Sequence, residues 1–133
     1  MPEPKQSVQH MRHVLIVEDD LELADLLGEV LVFENCTPDI VSNGMEALEK
    51  LRANQYDAVI CDLMMPRVDG QALYEEVTRD MPYMAEKFLF ITGQASRRGG
   101  FSDFISQTNN RLLEKPFEMD DFRSALREVF ERE

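Results

Sequence analysis

Short apolar runs alternate with stretches of helical periodicity along the chain. The run His13, Val14, Leu15, Ile16, Val17 is β-branched and apolar and ends abruptly in acids, as a strand buried on both faces does. Over residues 20–34, Leu23, Leu26, Leu27, Val30 and Leu31 recur at helical spacing and predict a helix with one apolar face. A short strand is expected over 39–41. Asn43, Gly44, Met45 and Glu46 have the form of a capping box opening a second helix, with Ala47, Leu48 and Leu51 inward. Residues 58–61 read as another buried strand. A third helix follows Pro66 and Gly70, with Leu73 and Val77 as its core stripe. A fourth strand is expected over 88–91 and a short fifth at Leu112 and Leu113. The last helix, over 118–131, carries Met119, Phe122, Leu126 and Val129 on one face.

These are five β-α units in succession. Right-handed crossovers return each strand parallel to the last, so the expected architecture is an α/β parallel sheet with helices on both faces. The fourth helix carries the weakest signal. The run 96–100 is rich in loop formers, and Phe101, Phe104 and Ile105 allow only a short helix after it. Residues 1–12 read as a flexible tail or linker, leaving one domain over 13–133.

Composition narrows the classes. The chain has 133 residues, 44% hydrophobic and 30% charged, enough for one core. A formal charge of −12 opposes direct binding of nucleic acid. No apolar run approaches the roughly 20 residues of a membrane span, and the first 13 residues lack the apolar centre of a secretory leader. No membrane association is expected, and the cytoplasm is the expected compartment. Cys36 and Cys61 belong to no metal-binding spacing, and Cys61 reads as a packed, reduced thiol.

In open α/β sheets ligands bind beyond the carboxyl ends of the strands. Past the first strand stand Glu18, Asp19 and Asp20, and past the third Asp62. Thr92 and Gly93 follow the fourth, and Glu114, Lys115 and Pro116 the fifth. Carboxylates held a few ångströms apart repel, by roughly 4 kcal/mol per pair at an effective dielectric near 20. A hard divalent cation with oxygen ligands relieves that repulsion, and a site with few carboxylates and retained waters suits magnesium. Lysine and threonine then offer positive charge and a hydrogen bond to a phosphoryl group. An ionised Asp62 is a competent nucleophile for phosphoryl transfer, giving an acyl phosphate. Each group alone has a plainer explanation. Acids after a strand often cap helices, and Asp20 is read as such a cap. A lone threonine or a Lys-Pro pair is usually structural, and Met64 and Met65 suit loop and core packing. The concurrence of all four kinds of group at one sheet edge is what favours a site.

In this order and spacing the residues resemble the receiver domains of two-component response regulators, over about residues 13–131. The resemblance rests on Val17-Glu18-Asp19, on Asp62-Leu63-Met64-Met65-Pro66 with Asp69-Gly70, on Thr92-Gly93 and on Lys115-Pro116-Phe117. It implies a flavodoxin-like fold, five strands in the order 2-1-3-4-5. It also implies that Asp62 is the phosphorylated residue, with Thr92 and Lys115 on the phosphoryl oxygens. Asp19 would ligate magnesium (manganese being the alternative ion) directly, and Glu18 mainly through a bound water. Asp62 and the Met64 backbone carbonyl would complete the protein's ligands. A cis Lys115–Pro116 bond is implied as well.

The implied partners are a sensor histidine kinase or phosphotransfer protein, and then a downstream protein or a second copy meeting the face of the fourth helix, fifth strand and fifth helix. Such a domain acts catalytically only on itself. Three features depart from the family's pattern. Leu112 stands where an aromatic residue is common, Gly93 stands where alanine is common, and the fourth-helix region is short. The run 90–94 and the run 110–117 look more like receivers fused to hybrid sensor kinases. The chain ends soon after the fifth helix, which suits either a single-domain regulator or a receiver taken from a longer protein.

Other classes remain to be weighed. A phosphorylation-independent interaction module with the same fold is kept open by Leu112, although Asp19, Asp62, Thr92 and Lys115 are all present. A flavin carrier would need an anion-accepting loop where Glu18, Asp19 and Asp20 stand. A hydrolase acting through Asp62 would need a larger substrate pocket.

Overall fold

The computed structural model describes residues 11–65, 68–93 and 101–132. Strands β1 (Arg12–Val17), β2 (Cys36–Val41), β3 (Ala58–Asp62), β4 (Phe88–Thr92) and β5 (Leu112–Glu114) run parallel in the order β2-β1-β3-β4-β5. They alternate with helices α1 (Leu21–Phe33), α2 (Gly44–Ala53), α3 (Gly70–Asp80), α4 (Phe101–Thr108) and α5 (Met119–Glu131). This is the doubly wound, flavodoxin-like arrangement.

Alternation along the strands sorts the core into two layers. On one face Val14, Ile16, Ile60, Leu89 and Ile91 meet Leu27 and Leu31 of α1 and Phe122 and Leu126 of α5. On the other, Leu15, Val17, Val59, Phe88 and Phe90 meet Leu51 of α2, Leu73 and Val77 of α3 and Phe104 of α4. Each such side chain contributes about 1.5–3 kcal/mol of burial free energy, so the two layers hold the sheet edge in place from both sides.

Among the described residues, three helix starts are capped by side chains. Asp20 accepts from the N–H groups of Glu22 and Leu23, Asn43 from Glu46, and Asp69 from Ala72. Each cap contributes about 1 kcal/mol. The box at Asn43 is offset by one residue, because Glu46 Oε1 accepts from Ser42 N–H rather than from the cap's own N–H.

The structure departs from the sequence pattern at three places. Leu26, expected inward, is 44% exposed, because α1 packs through Ala24, Leu27, Gly28 and Leu31. Strand β2 begins at Cys36 rather than Asp39, and Pro38 is tolerated inside it because β2 is an edge strand. A 3-10 helix over Pro82–Lys87 precedes β4, and the Asn110 side-chain amide ties it down by donating to Ala85 O and Phe88 O. Residues 1–10 of the expected 1–12 tail and the run 96–100 lie outside the described residues. Arg12, assigned to the tail from sequence, opens β1 with its guanidinium 4.3 Å from the Phe130 ring centroid. Cys36 and Cys61 are free, buried thiols. No helix among the described residues is long and apolar enough to cross a membrane.

Candidate functional site

The carboxyl ends of β1, β3, β4 and β5 converge as their registers require. Val17 pairs with Cys61, Asp62 with Ile91, and Thr92 with Glu114, so the residues that follow or end these strands lie along one edge. Glu18 continues β1, its N–H donating to Val41 O. Its side chain is buried, and Oε2 accepts from Asp20 N–H at 3.0 Å. Asp20 is thereby shared between capping α1 and orienting Glu18. Asp19, between them, is exposed.

Asp62 is only 3% exposed. Its Oδ1 accepts from Met64 N–H at 2.9 Å, and its Oδ2 accepts from Lys115 Nζ at 3.0 Å. The same ammonium lies 3.2 Å from Oε1 and 3.3 Å from Oε2 of Glu18. Lys115 is positioned by its own N–H, which donates to Thr92 O at 2.7 Å, and it is followed by a cis bond to Pro116, as the resemblance implied. Thr92 is buried at the end of β4, and its hydroxyl donates to Gly93 O at 3.3 Å.

One carboxylate oxygen each from Glu18, Asp19 and Asp62 lies within 4.8 Å of the others. Burial raises the Glu18 carboxyl to about 7. The Asp20 N–H and Lys115 oppose that rise, and the charge of Asp62 adds to it. Burial lowers Lys115, but its bond to Asp62 and the charges of Asp62 and Glu18 more than offset this and leave it raised. Lys115 therefore stays an ammonium at neutral pH while one ammonium faces three carboxyl groups.

That donor set fits a hard divalent cation. Glu18 Oε1 is buried without a hydrogen-bond partner, since its approach to Lys115 lacks hydrogen-bond geometry. An all-oxygen cluster of carboxylates with excess negative charge is what magnesium prefers. Cys61, although adjacent to Asp62, is excluded as a nucleophile, because full burial pushes its thiol well above the usual range.

Glu18, Asp19, Asp62 and Lys115 are thus brought together, with Thr92 beside them through its carbonyl. Met64 meets Asp62 through its backbone N–H, while its side chain is exposed. Sequence reading gave Asp20 only its capping role and missed its N–H on Glu18. It also read Gly44 only as part of a helix opening, and Gly70 as a helix opening and as part of the Asp69-Gly70 motif, without their close backbone approaches. A Cβ on Gly70 would stand 2.6 Å from Asp62 O and 2.8 Å from Leu63 Cα, so this glycine is required for the loop to close against β3. The Asp-Gly pair at 69–70 was the available signal.

A doubly wound parallel sheet with an acidic, lysine-bridged pocket at its carboxyl edge defines a signalling receiver module. The chain matches the response regulator receiver domain model over residues 14–127 and belongs to that family. It is 32% identical over 117 residues to the transcription factor SKN7 of Saccharomyces cerevisiae, covering 86% of this chain and 18% of SKN7. It is 28% identical over 123 residues to the response regulator ArlR of Staphylococcus haemolyticus, covering 92% of this chain and 54% of ArlR. The chain therefore spans about half or less of these curated relatives. The crystal structure of the response regulator protein TrrA from Thermotoga maritima, in complex with Mg(2+)-BeF, superposes with a TM-score of 0.73 at 27% identity. That superposition covers 90% of this chain and 99% of TrrA.

Proposed function

We propose that the chain is a phosphoacceptor. Asp62 takes a phosphoryl group from the phosphohistidine of a sensor histidine kinase or phosphotransfer protein, and the resulting acyl phosphate changes the protein's contacts. The observation that carries this reading is the Asp62 carboxylate, buried yet held by Met64 N–H on one oxygen and by Lys115 Nζ on the other. Two fixed donors hold the carboxylate plane still, which is what positioning for in-line transfer requires.

Magnesium would be held by Glu18, Asp19, Asp62 and the Met64 carbonyl, and the relative TrrA was crystallised with Mg(2+)-BeF. Bound there, the cation supplies Lewis-acid neutralisation of phosphoryl charge. The protein's own residues do the rest. An Asp62 oxygen forms the new bond to phosphorus as the nitrogen–phosphorus bond breaks, and the electron pair returns to the donor imidazole. Lys115, released from Asp62 as that carboxylate becomes a mixed anhydride and loses its charge, pairs with a phosphoryl oxygen. The Thr92 hydroxyl, now on Gly93 O, turns to another. Water later hydrolyses the acyl phosphate on the same residues, so the catalysis acts only on the protein itself.

The phosphorylated state would bias a two-state equilibrium felt at α4, β5 and α5, where a downstream protein or a second copy binds. The cytoplasm, with no membrane or nucleic-acid contact by this domain, suits such a role. One observation favours a second reading, an interaction module independent of phosphorylation: β5 opens with Leu112 where an aromatic residue would couple to Thr92.

Intact-protein mass spectrometry after incubation with acetyl phosphate and magnesium tests the first reading, with Asp62→Asn run in parallel. A magnesium-dependent gain of one phosphoryl group in the wild type alone is expected. Equal gain in Asp62→Asn would remove Asp62 as the acceptor.

A further inference from the structure

Gly44 opens α2, some twenty residues before Asp62 in sequence, and touches none of the carboxylates. Its backbone lies against the loop that carries Asp69. A Cβ built on Gly44 would stand 2.4 Å from Val68 O, 2.6 Å from Val68 Cβ and 2.9 Å from Val68 Cγ1. The nearest of these atoms is backbone, so no side-chain rotation relieves the contact. Val68 O would have to retreat by about 1 Å to reach ordinary van der Waals separation.

Two residues further on, Gly70 seats the same loop on β3. Its N–H donates to Leu63 O at 3.2 Å, and its Cα side lies tight against Asp62 O and Leu63 Cα. Asp69, between them, caps α3 by accepting from Ala72 N–H. The segment from Val68 to Gly70 is therefore held between α2 and the end of β3 by two close approaches that only glycine permits. Met64, just past Leu63 on the β3 side of this clamp, carries the N–H that fixes Asp62 Oδ1.

We infer that Gly44 is a positioning residue for the phosphoacceptor site. By letting Val68 pack onto the start of α2, it fixes the loop against β3 and so sets the Met64 backbone on Asp62. This deepens the phosphoacceptor reading and rests on it for its functional meaning. The sign of the expected effect is unusual. Alanine at a helix position normally favours the helix over glycine, whereas here it costs the loop its seat.

The test is Gly44→Ala, with Gly28→Ala as control. A Cβ on Gly28 meets Ile40 Cδ1 at 3.6 Å and Pro38 Cγ at 3.9 Å, which is ordinary contact. The first readout needs neither metal nor phosphate: amide hydrogen exchange at Met64, followed by NMR in EDTA. In Gly44→Ala, exchange at Met64 is expected to quicken roughly fivefold, as loss of one hydrogen bond's contribution would produce, with β1 and α5 amides unchanged. The second readout is magnesium affinity by calorimetry, expected to weaken roughly tenfold, as when a group supporting metal ligands is disturbed. Saturating magnesium then restores most of the acetyl phosphate reaction, which a loss of folded protein would not allow.

Unchanged Met64 exchange and magnesium affinity in a folded Gly44→Ala would overturn the inference. If Gly44→Ala does not fold, Val68→Ala decides instead. It removes both side-chain methyl groups, of which Cγ1 faces Gly44, and keeps the backbone, so a smaller change of the same sign at Met64 supports the inference and no change refutes it. A wild type that takes up no phosphate, combined with a responsive Met64 amide, would sink the phosphoacceptor reading and leave the clamp standing.

Discussion

Lys115 Nζ and Asp62 Oδ2 lie 3.0 Å apart across 53 residues of sequence, and the same ammonium lies within 3.3 Å of both oxygens of Glu18. One cation therefore holds two buried carboxyl groups that would otherwise repel. On the proposed phosphoacceptor reading the lysine has two tasks in consequence, stabilising the resting pocket and neutralising an incoming phosphoryl group.

Lys115→Ala separates those tasks. Phosphoryl uptake from acetyl phosphate should fall on the order of a hundredfold, the scale seen when a donor to developing charge is removed. Magnesium affinity should not fall, because a competing positive charge has left the pocket. Calorimetry and mass spectrometry on one preparation check both, and a large loss of magnesium binding would contradict this division of roles.

Glu18→Gln tests the electrostatic load of the metal-free pocket. The Glu18 carboxyl is raised from 4.5 to about 7, so between those values the folded state binds more protons than the unfolded. Stability then falls as pH rises through that window and is flat above it, a loss on the order of 3 kcal/mol. In EDTA the variant should be more stable than wild type at pH 8 and no more stable at pH 4.5. Excess magnesium should stabilise the wild type more than the variant. Urea titrations in which the two proteins track each other at every pH would refute the assignment.

On the edge strand β2, Asp39 accepts from Tyr56 Oη at 2.7 Å and is 2.7 Å from His13 Nε2. Burial raises the Asp39 carboxyl, but the bonds from Tyr56 and His13 more than offset this and hold it below its usual value. A lowered carboxyl stabilises the fold above its unfolded value of about 3.9, and that contribution disappears as pH falls through the folded value. Tyr56→Phe should therefore cost about 1 kcal/mol at pH 7 and progressively less below pH 4. A pH-independent cost would mean that packing, not the bond to Asp39, matters there.

Phe104 joins α4 to the sheet. Its ring centroid is 5.5 Å from both Tyr74 and Phe90, edge-on to each. Phe104→Ala should cost about 3 kcal/mol and raise hydrogen exchange in α4 before other helices. Uniform loosening of all helices would show that α4 is not separately anchored by this contact.

Much of this was legible beforehand for definite reasons. Strands β1, β3 and β4 are buried on both faces, so their apolar runs stand out against any neighbour. The acids past β1 and β3 are conspicuous because nothing in the core tolerates them. Signals weakened where burial is one-sided. Pro38 argues against a strand unless its edge position is known, and Leu26 reads as core until α1's rotation is fixed by Gly28 against Ile40 and Pro38. The Pro82–Lys87 turn has no periodicity to read and is held by Asn110, from a distant part of the chain.

Composition, periodicity and the order of the motifs by themselves determined the alternating α/β class, the edge of the sheet where polar groups gather, and the candidate set Glu18, Asp19, Asp62, Thr92 and Lys115. These are local or one-dimensional properties, set by which residue follows which strand. Only the tertiary structure decided that Lys115 bridges Asp62 and Glu18, that Asp20 N–H orients Glu18, that burial carries Glu18 to about 7, and that Gly44 seats Val68. Distances between remote residues, and the desolvation that follows from packing, depend on how the layers close, and no spacing along the chain encodes them.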